Sequence, residues 1–390
     1  MMDKKMVFDI SITGHHSEYI GHLVNYLSFE NHGEIEYYFV VHPDFAATFP
    51  KIYEKAANTE SILWCPITKK EFEKVHNAQK VWSSMLMFQL IKRYAKRNQV
   101  KHVFALDFHS IKYGGILNRQ SYTISSILFL QFHRLKRETQ KQHMEFYKRY
   151  YTTKLCLRNP NITKIFVLND EETVDYMNKE FKTDRFQMLP DPIPSLEPLE
   201  NFDIHDHYGI DKDRKIFLHI GSLGHRKGTQ EAMEAASHID PSRQSETAIL
   251  IVGRTSNTED EKLFSEKMEA MKKTTSVQLV WDNQFVPSNM MKSLFDQCDT
   301  VLLPYKNAEF SSGILGHAAA AQKRVIATGA GLIKELVMRY QLGELLEIPD
   351  AQHIAKKIDK VLKDDAKSIG QTDFVEEHSP EKFAETLFEA

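Results

Sequence analysis

Lys215-Ile-Phe-Leu-His-Ile-Gly-Ser-Leu-Gly-His-Arg-Lys-Gly228 runs from a near-continuous apolar segment through two glycines and a basic pair, and residues 229–237 follow with helical period. An apolar run of that length bounded by turn residues reads as a strand buried on both faces, which is the strand type of a parallel sheet. Gly221 and Gly224 permit a tight turn at its carboxyl end, Thr229 can cap the helix that follows, and Arg226 and Lys227 offer charge-assisted donors to an anion. Taken alone, the loop is either an anion site or a solvated basic turn.

A second segment, Glu309-Phe-Ser-Ser-Gly-Ile-Leu-Gly-His317, leads through four alanines into the apolar strand Arg324-Val-Ile-Ala-Thr328. The first amides of a helix lack intrahelical partners and carry partial positive charge, so a helix opening at Ser311, Ser312 and Gly313 suits a phosphate. Ser-Ser-Gly is equally an ordinary cap. With both segments in one chain, a diphosphate gripped from two sides is the reading that uses both.

Short apolar runs alternate with helical segments along the whole chain, the pattern of parallel sheets covered by helices. Strands are expected over residues 6–13, 35–41, 61–64, 102–106, 123–131 and 165–168, then over 216–220, 248–252, 277–280, 300–303 and 325–327. These make two doubly wound α/β halves. Leu189-Pro-Asp-Pro-Ile-Pro-Ser-Leu-Glu-Pro198 separates them, because four prolines favour an extended connector over a helix or central strand. At 390 residues the chain is long enough for two domains or more.

A formal net charge of −3 gives no reason to expect nucleic acid as a partner. Three scattered cysteines fit neither a disulfide framework nor a zinc site and suggest a reducing compartment. With no apolar stretch of signal-peptide or membrane-span length, the expectation is a soluble cytoplasmic protein. From Arg134 to Arg158, eight basic residues stand against two acids, interleaved with Phe146, Tyr147, Tyr150 and Tyr151. That segment is either a solvated helix face or a peripheral contact with anionic membrane.

The order strand, Gly-x-x-Gly-x-x-Lys-Gly, helix, then Ile249-Leu-Ile-Val-Gly253, Phe285-Val-Pro, Cys298-Asp-Thr-Val-Leu-Leu-Pro304 and Glu309 before the Ser-Ser-Gly helix resembles the C-terminal half of retaining GT-B glycosyltransferases of family four (glycosyl transferases group 1). The similarity covers most of residues 203–375. It is looser before that, over Gly14-His-His16, a strand leading to His133, Ile165-Phe-Val-Leu-Asn169 and the proline connector. The resemblance implies two Rossmann-like domains facing across a cleft: an acceptor-binding domain over 1–190, a linker over 191–202, a nucleotide-sugar domain over 203–375, and a terminal helix over 376–390 crossing back.

It further implies a sugar moved from a nucleotide-diphospho-sugar, UDP- or GDP-linked, to a glycan or lipid-linked acceptor with retention, without a metal and with no cofactor. Lys227 and Arg226, with Gly221, Ser222, Ser311, Ser312 and Gly313, would hold the diphosphate. Glu309 matches the first glutamate of the family's Glu-x7-Glu signature and would contact the transferred sugar. His317 stands in place of the second, which contacts the ribose, and Ser222 in place of an arginine. Both departures leave an inactive partner subunit open as an alternative, and the shared fold leaves a sugar-nucleotide epimerase open. Gly253, Phe285 and Val286 are the candidates for ribose and base. In the first half His133 is the catalytic candidate, with Gly14, His16, Asp107 and His109 for acceptor or sugar. Asp203-Ile-His-Asp-His207 reads as a linker and helix cap.

Overall fold

The computed structural model describes residues 3–29, 35–117, 120–255, 257–309, 311–364 and 371–389; Phe310, inside the second quoted loop, lies outside them. The chain packs as two compact units, residues 1–192 with 379–390, and residues 193–378.

The first unit carries a seven-stranded sheet built from β1 (Asp3–Asp9), β2 (Ile35–Val41), β3 (Ile62–Trp64), β4 (His102–Ala105), β5 (Thr123–Ile127), β6 (Ile162–Leu168) and β7 (Phe186–Leu189), in the order 3-2-1-4-5-6-7. The second carries β8 (Lys215–Ile220), β9 (Thr247–Val252), β10 (Gln278–Asp282), β11 (Thr300–Leu303), β12 (Arg324–Thr328) and β13 (Gly343–Leu346), in the order 10-9-8-11-12-13. Every pairing is parallel. Both sheets therefore reverse direction of winding beside their first strand, at β1/β4 and at β8/β11. Helices diverge at such a switch point, and the crevice left at the carboxyl ends of the strands is where open α/β sheets take ligands.

Sheet interiors follow from composition. All six residues of β9 are buried, and Phe217, Ile249, Ile251, Leu302 and Ile326 face one helix layer while Leu218, Leu250, Val301, Leu303 and Val325 face the other. A strand buried on both faces cannot afford a polar side chain without a partner. The one histidine inside β8, His219, has two partners, described below.

Two strands end earlier than the sequence expectation. β1 ends at Asp9 rather than residue 13, because Asp9 turns its carboxylate back to accept the Ser11 amide at 2.9 Å and closes the strand. β5 ends at Ile127 although the apolar run continues; Leu128 and Phe132 leave the sheet and pack with Phe146 of the Gln140–Cys156 helix. Two short strands, β7 and β13, were not expected at all. The proline connector forms neither helix nor strand from Pro190 to Pro198, and its first residue, Leu189, belongs to β7. The Pro380–Phe388 helix belongs to the first unit, where Phe383 and Phe388 pack beside Tyr19 and Tyr37.

Candidate functional site

At the carboxyl end of β8 the backbone turns at Gly221 (φ 125°), passes through a short 3-10 turn over His225–Lys227 and enters the Thr229–Glu234 helix after Gly228. Two glycines there are required by close approach. A side chain on Gly253 would meet the Gly221 carbonyl at 1.8 Å, and one on Gly228 would meet the Pro304 carbonyl at 2.1 Å. Both positions also have positive φ, which disfavours any residue with a Cβ.

Thr229 does not cap its helix, contrary to expectation: the cap position is Gly228, and Thr229 is the first helical residue. Its hydroxyl accepts the Gly224 amide at 3.1 Å and donates to Nε2 of His219 at 3.0 Å. His219 donates Nδ1–H to the Leu302 carbonyl at 3.1 Å, which requires its Nε2 to be the acceptor. Burial holds that imidazole neutral, with its pKa lowered to about 4. A polar residue in the middle of a buried strand thus pins the turn above it.

Lys227 follows from this anchoring. The ammonium lies over the ring of Tyr305, 3.6 Å from the centroid, and no carboxylate partner is found for it among the described residues. Burial, and then the neighbouring Arg226, lowers its pKa to about 8. Tyr305 is itself buried and sits just past the end of β11, the strand across the switch point. Ser312 donates its hydroxyl to the Tyr305 oxygen at 3.5 Å. The Gly313–Ala320 helix therefore begins beside the same ring, with Ser312 at the cap position but making no side-chain cap bond. Ile314, in its first turn, lies 3.8 Å from where a side chain on Gly221 would be. The two loops singled out in the sequence do meet, and Tyr305, which the sequence reading did not single out, is what they share.

The other candidates in this unit are placed as follows. Arg226 and Ser222 are exposed on the turn, and the Arg226 carbonyl accepts the Lys306 amide at 3.0 Å. Lys306 pairs with Glu231. Glu309 is half-buried, with its amide donating to Oδ1 of Asn307 at 3.3 Å. His317 stacks on Phe295 at 5.6 Å between centroids, and burial, with Lys292, lowers its pKa to about 4. Phe285 is 80 % exposed, an unusual position for so large an apolar side chain, while Val286 packs partly into the core beside it. Gly253 is buried against Gly221, so it shapes the turn. Asp203 caps the Ile204–Tyr208 helix by accepting the Asp206 amide at 2.9 Å.

In the first unit the switch point collects Asp9 at the end of β1 and Asp107 after β4. His16 donates Nδ1–H to Asp9 at 2.6 Å. Burial alone would lower the His16 pKa, but the hydrogen bond and charge of Asp9, with Asp107 beyond it, outweigh burial and raise it. Asp107 accepts the His109 amide at 2.8 Å, and burial, with Asp9 nearby, raises its pKa. Gly14 is exposed at φ 65° in the turn before His16. Asp9 was missed in the sequence, where the first strand was expected to run on to residue 13. His133 stands apart from this group: it lies beyond the end of β5, stacks on Tyr176 at 4.0 Å and reaches Glu172 at 3.5 Å, both on the Glu171–Phe181 helix.

The basic segment is mixed in character. Arg134 is a core residue, its guanidinium bound to buried Asp170 at 2.7 and 2.8 Å, and Phe146 is buried. Met144, Tyr147, Lys148, Tyr151, Lys154 and Leu155 lie together on the exposed side of the Gln140–Cys156 helix. No helix among the described residues is long and apolar enough to cross a membrane.

A family model, Glycosyl transferases group 1, matches residues 200–377. No curated relative matches the sequence. Among solved structures, Anabaena HepE in complex with UDP and glucose superposes with a TM-score of 0.66 at 13 % identity, covering 99 % of this chain and 98 % of that one. A glycosyltransferase from Rickettsia africae gives 0.69 at 16 %, covering 100 % and 97 %, and the sucrose-phosphate synthase of Thermosynechococcus elongatus gives 0.68 at 13 %, covering 100 % and 98 %. At such identities the likeness establishes the fold, two parallel-sheet Rossmann-like domains of GT-B type, and the family match lies on the unit that carries Lys227, Tyr305 and Glu309. The chain thus has the GT-B fold, and its residues 200–377 are similar to the glycosyl transferases group 1 model.

Proposed function

We propose that the protein is a glycosyltransferase that moves a hexosyl group from a nucleotide-diphospho-sugar to a glycan or lipid-linked acceptor, with retention and without a metal. The observation that carries this reading is Lys227: a partly buried ammonium, resting on an aromatic face beside an uncapped helix start, with no carboxylate partner among the described residues. Burying a cation is costly unless an anion compensates it, and a diphosphate supplies that anion. The family match and the UDP in the HepE structure favour a nucleotide donor, UDP- or GDP-linked.

In this reading the anomeric carbon–oxygen bond breaks, the electron pair stays on the diphosphate oxygen, and Lys227, Arg226, the amides from Gly313 onward and the hydroxyls of Ser311 and Ser312 stabilise the charge that grows there. Interactions that strengthen as charge develops accelerate the step. The acceptor hydroxyl bonds to the same face of the carbon and passes its proton to the departing phosphate oxygen. Glu309 orients the sugar. Phe285, exposed and aromatic, is available to the base, and His317 to the ribose. The first unit holds the acceptor, with His16, Asp107 and His109 near it, and His133 is the remaining candidate for the transferred sugar.

A thermal-shift screen of UDP-, GDP-, ADP- and CMP-linked sugars tests the reading, since a ligand bound only by the native state stabilises it by about 2.7 kcal/mol at a hundredfold excess over Kd. One donor class is expected to raise Tm; no shift with any of them would remove the donor site. A chain that binds a donor but neither hydrolyses nor transfers it would be the inactive subunit that His317 favours.

Peripheral contact with anionic membrane belongs to the same proposal, through the exposed cations and aromatics of the Gln140–Cys156 helix. Charge reversal at Arg134 would break a buried pair, so Lys141 and Lys154 are the positions to change. Binding to phosphatidylglycerol vesicles is expected to fall several-fold in the double Lys→Glu variant and with rising salt. Salt-independent binding, or none, removes this part.

A further inference from the structure

A second concentration of cations lies in the first unit, which carries none of the residues assigned to the donor diphosphate. A cavity of about 340 Å³ is bounded by the start of the Lys80–Asn98 helix, the Phe108–Leu117 helix and the Gln140–Cys156 helix, and Lys80, Lys112, Lys148 and Arg149 line it together with His109. Only two acids share the lining, and both are engaged. Asp107 accepts the His109 amide at 2.8 Å, and Glu145 holds Arg149 at 2.8 Å with Lys148 at 3.8 Å.

Lys112 is the centre of the arrangement. Among the described residues its ammonium has one hydrogen-bond acceptor, Nδ1 of His109 at 3.0 Å. His109 must be neutral to accept there, and its Nε2–H, donated to the Leu130 carbonyl at 3.2 Å, fixes the tautomer that leaves Nδ1 as the acceptor. Burial, with the charges of Lys112 and Arg149, holds its pKa at about 3. The imidazole therefore does not join the cations, and it keeps Lys112 aimed by accepting a hydrogen bond from one of its three N–H groups. Burial, and after it the like charges of Lys148 and Arg149, also lowers the Lys112 pKa. Lys80 is exposed at the rim and has no ionic partner among the described residues. Four cations converging on a cavity with two occupied carboxylates leave an uncompensated positive charge, and a phosphoryl group, with two negative charges and three acceptor oxygens, matches it in sign and in number of donors.

We propose that this pocket receives a phosphoryl group carried by the acceptor. The inference rests on the transferase reading for the word acceptor, and on the pocket alone for the phosphoryl group. Asp107, which forms part of the wall, lies at the carboxyl end of the strand paired with β1, so a ligand seated here extends along the ligand-binding edge of the first sheet.

The test is calorimetric titration of the full chain, saturated with UDP so that the donor loops are filled, with glycerol 3-phosphate and with glycerol. Glycerol 3-phosphate is expected to bind and glycerol not to bind. Lys112→Gln and Lys80→Gln are each expected to weaken the phosphate probe about tenfold or more while leaving UDP affinity unchanged, and Lys112→Arg to restore part of the loss. Lys80 is exposed, so that variant folds whatever the fate of Lys112→Gln. Unchanged affinity in both glutamine variants, or no binding by the wild type, overturns the proposal. If glycerol 3-phosphate binds in this lysine-dependent way without UDP present while UDP does not bind at all, the pocket stands and the transferase reading falls. Vesicles containing phosphatidic acid distinguish the sources: a component of vesicle binding lost in Lys112→Gln assigns the phosphoryl group to a lipid, and its absence alongside binding of the soluble probe assigns it to a water-soluble acceptor.

Discussion

Lys227→Met is expected to abolish measurable sugar transfer and to weaken nucleoside diphosphate binding about ten- to hundredfold, without lowering Tm. Loss of one charge-assisted hydrogen bond is worth about 1.5–3 kcal/mol, and every 1.4 kcal/mol is about tenfold in Kd. Transfer suffers more than binding, because charge on the diphosphate grows as the glycosidic bond breaks; removing a donor of this kind costs about a hundred- to a thousandfold in rate. Stability goes the other way. In the free protein the ammonium is partly buried over Tyr305 without a carboxylate, so an uncharged side chain of similar length relieves a cost.

The pH dependence follows from the same geometry. The folded pKa of Lys227 is lowered to about 8 from its ordinary 10.5, first by burial and then by Arg226. Between those values the unfolded chain binds more protons than the folded one, so this group makes the ligand-free protein more stable as pH rises from about 8 toward 10.5. Affinity for the diphosphate moves oppositely, falling above about pH 8 as the cation is lost. The wild type should show that fall, and Lys227→Met should not. Wild-type affinity for nucleoside diphosphates in the variant would dismantle the site as drawn.

Glu309→Ala is expected to lower transfer by about two to four orders of magnitude while nucleoside diphosphate affinity stays within about twofold. A carboxylate that accepts hydrogen bonds from the transferred sugar's hydroxyls contributes about 1.5–3 kcal/mol for each, and the bare nucleotide lacks that sugar. The backbone that presents Glu309 is held from one side. Ala308, the residue before it, accepts the Leu332 amide at 3.0 Å, and Gly331 (φ 58°) approaches so closely that a side chain there would meet the Ala308 carbonyl at 2.3 Å. The strand–loop–helix frame, rather than Glu309 itself, therefore sets the position of the carboxylate, and its removal should leave Tm nearly unchanged. Equal losses in transfer and in nucleotide affinity would move Glu309 from the sugar to the diphosphate. Undiminished transfer would take it out of the site.

Much of the architecture could be read along the chain. Long buried strands such as Lys215–Ile220 and Thr247–Val252 announce themselves as unbroken apolar runs, because a parallel sheet wrapped in helices leaves them no wet face. The edge strands Phe186–Leu189 and Gly343–Leu346 could not be read so. Each has four residues, only partly buried, and Phe-Gln-Met-Leu or Gly-Glu-Leu-Leu carries neither an apolar run nor an alternation. The overrun at Ile127 has the converse cause: Leu128 and Phe132 are apolar because they pack beside a helix, and hydrophobicity does not state which partner buries it.

Local chain chemistry determined by itself which segments turn, which start helices and where the basic and hydroxyl side chains stand in the two loops of the second unit. Only the tertiary structure decided what those side chains meet. Thr229 pins the turn through His219 in place of capping its helix, Tyr305 joins two loops more than eighty residues apart, Arg134 disappears into a buried pair, and Lys112 gathers three further cations from two other helices. The physical reason is that secondary structure depends on neighbours within a few positions, whereas the charge state and partners of a side chain depend on burial and on contacts from residues far along the chain.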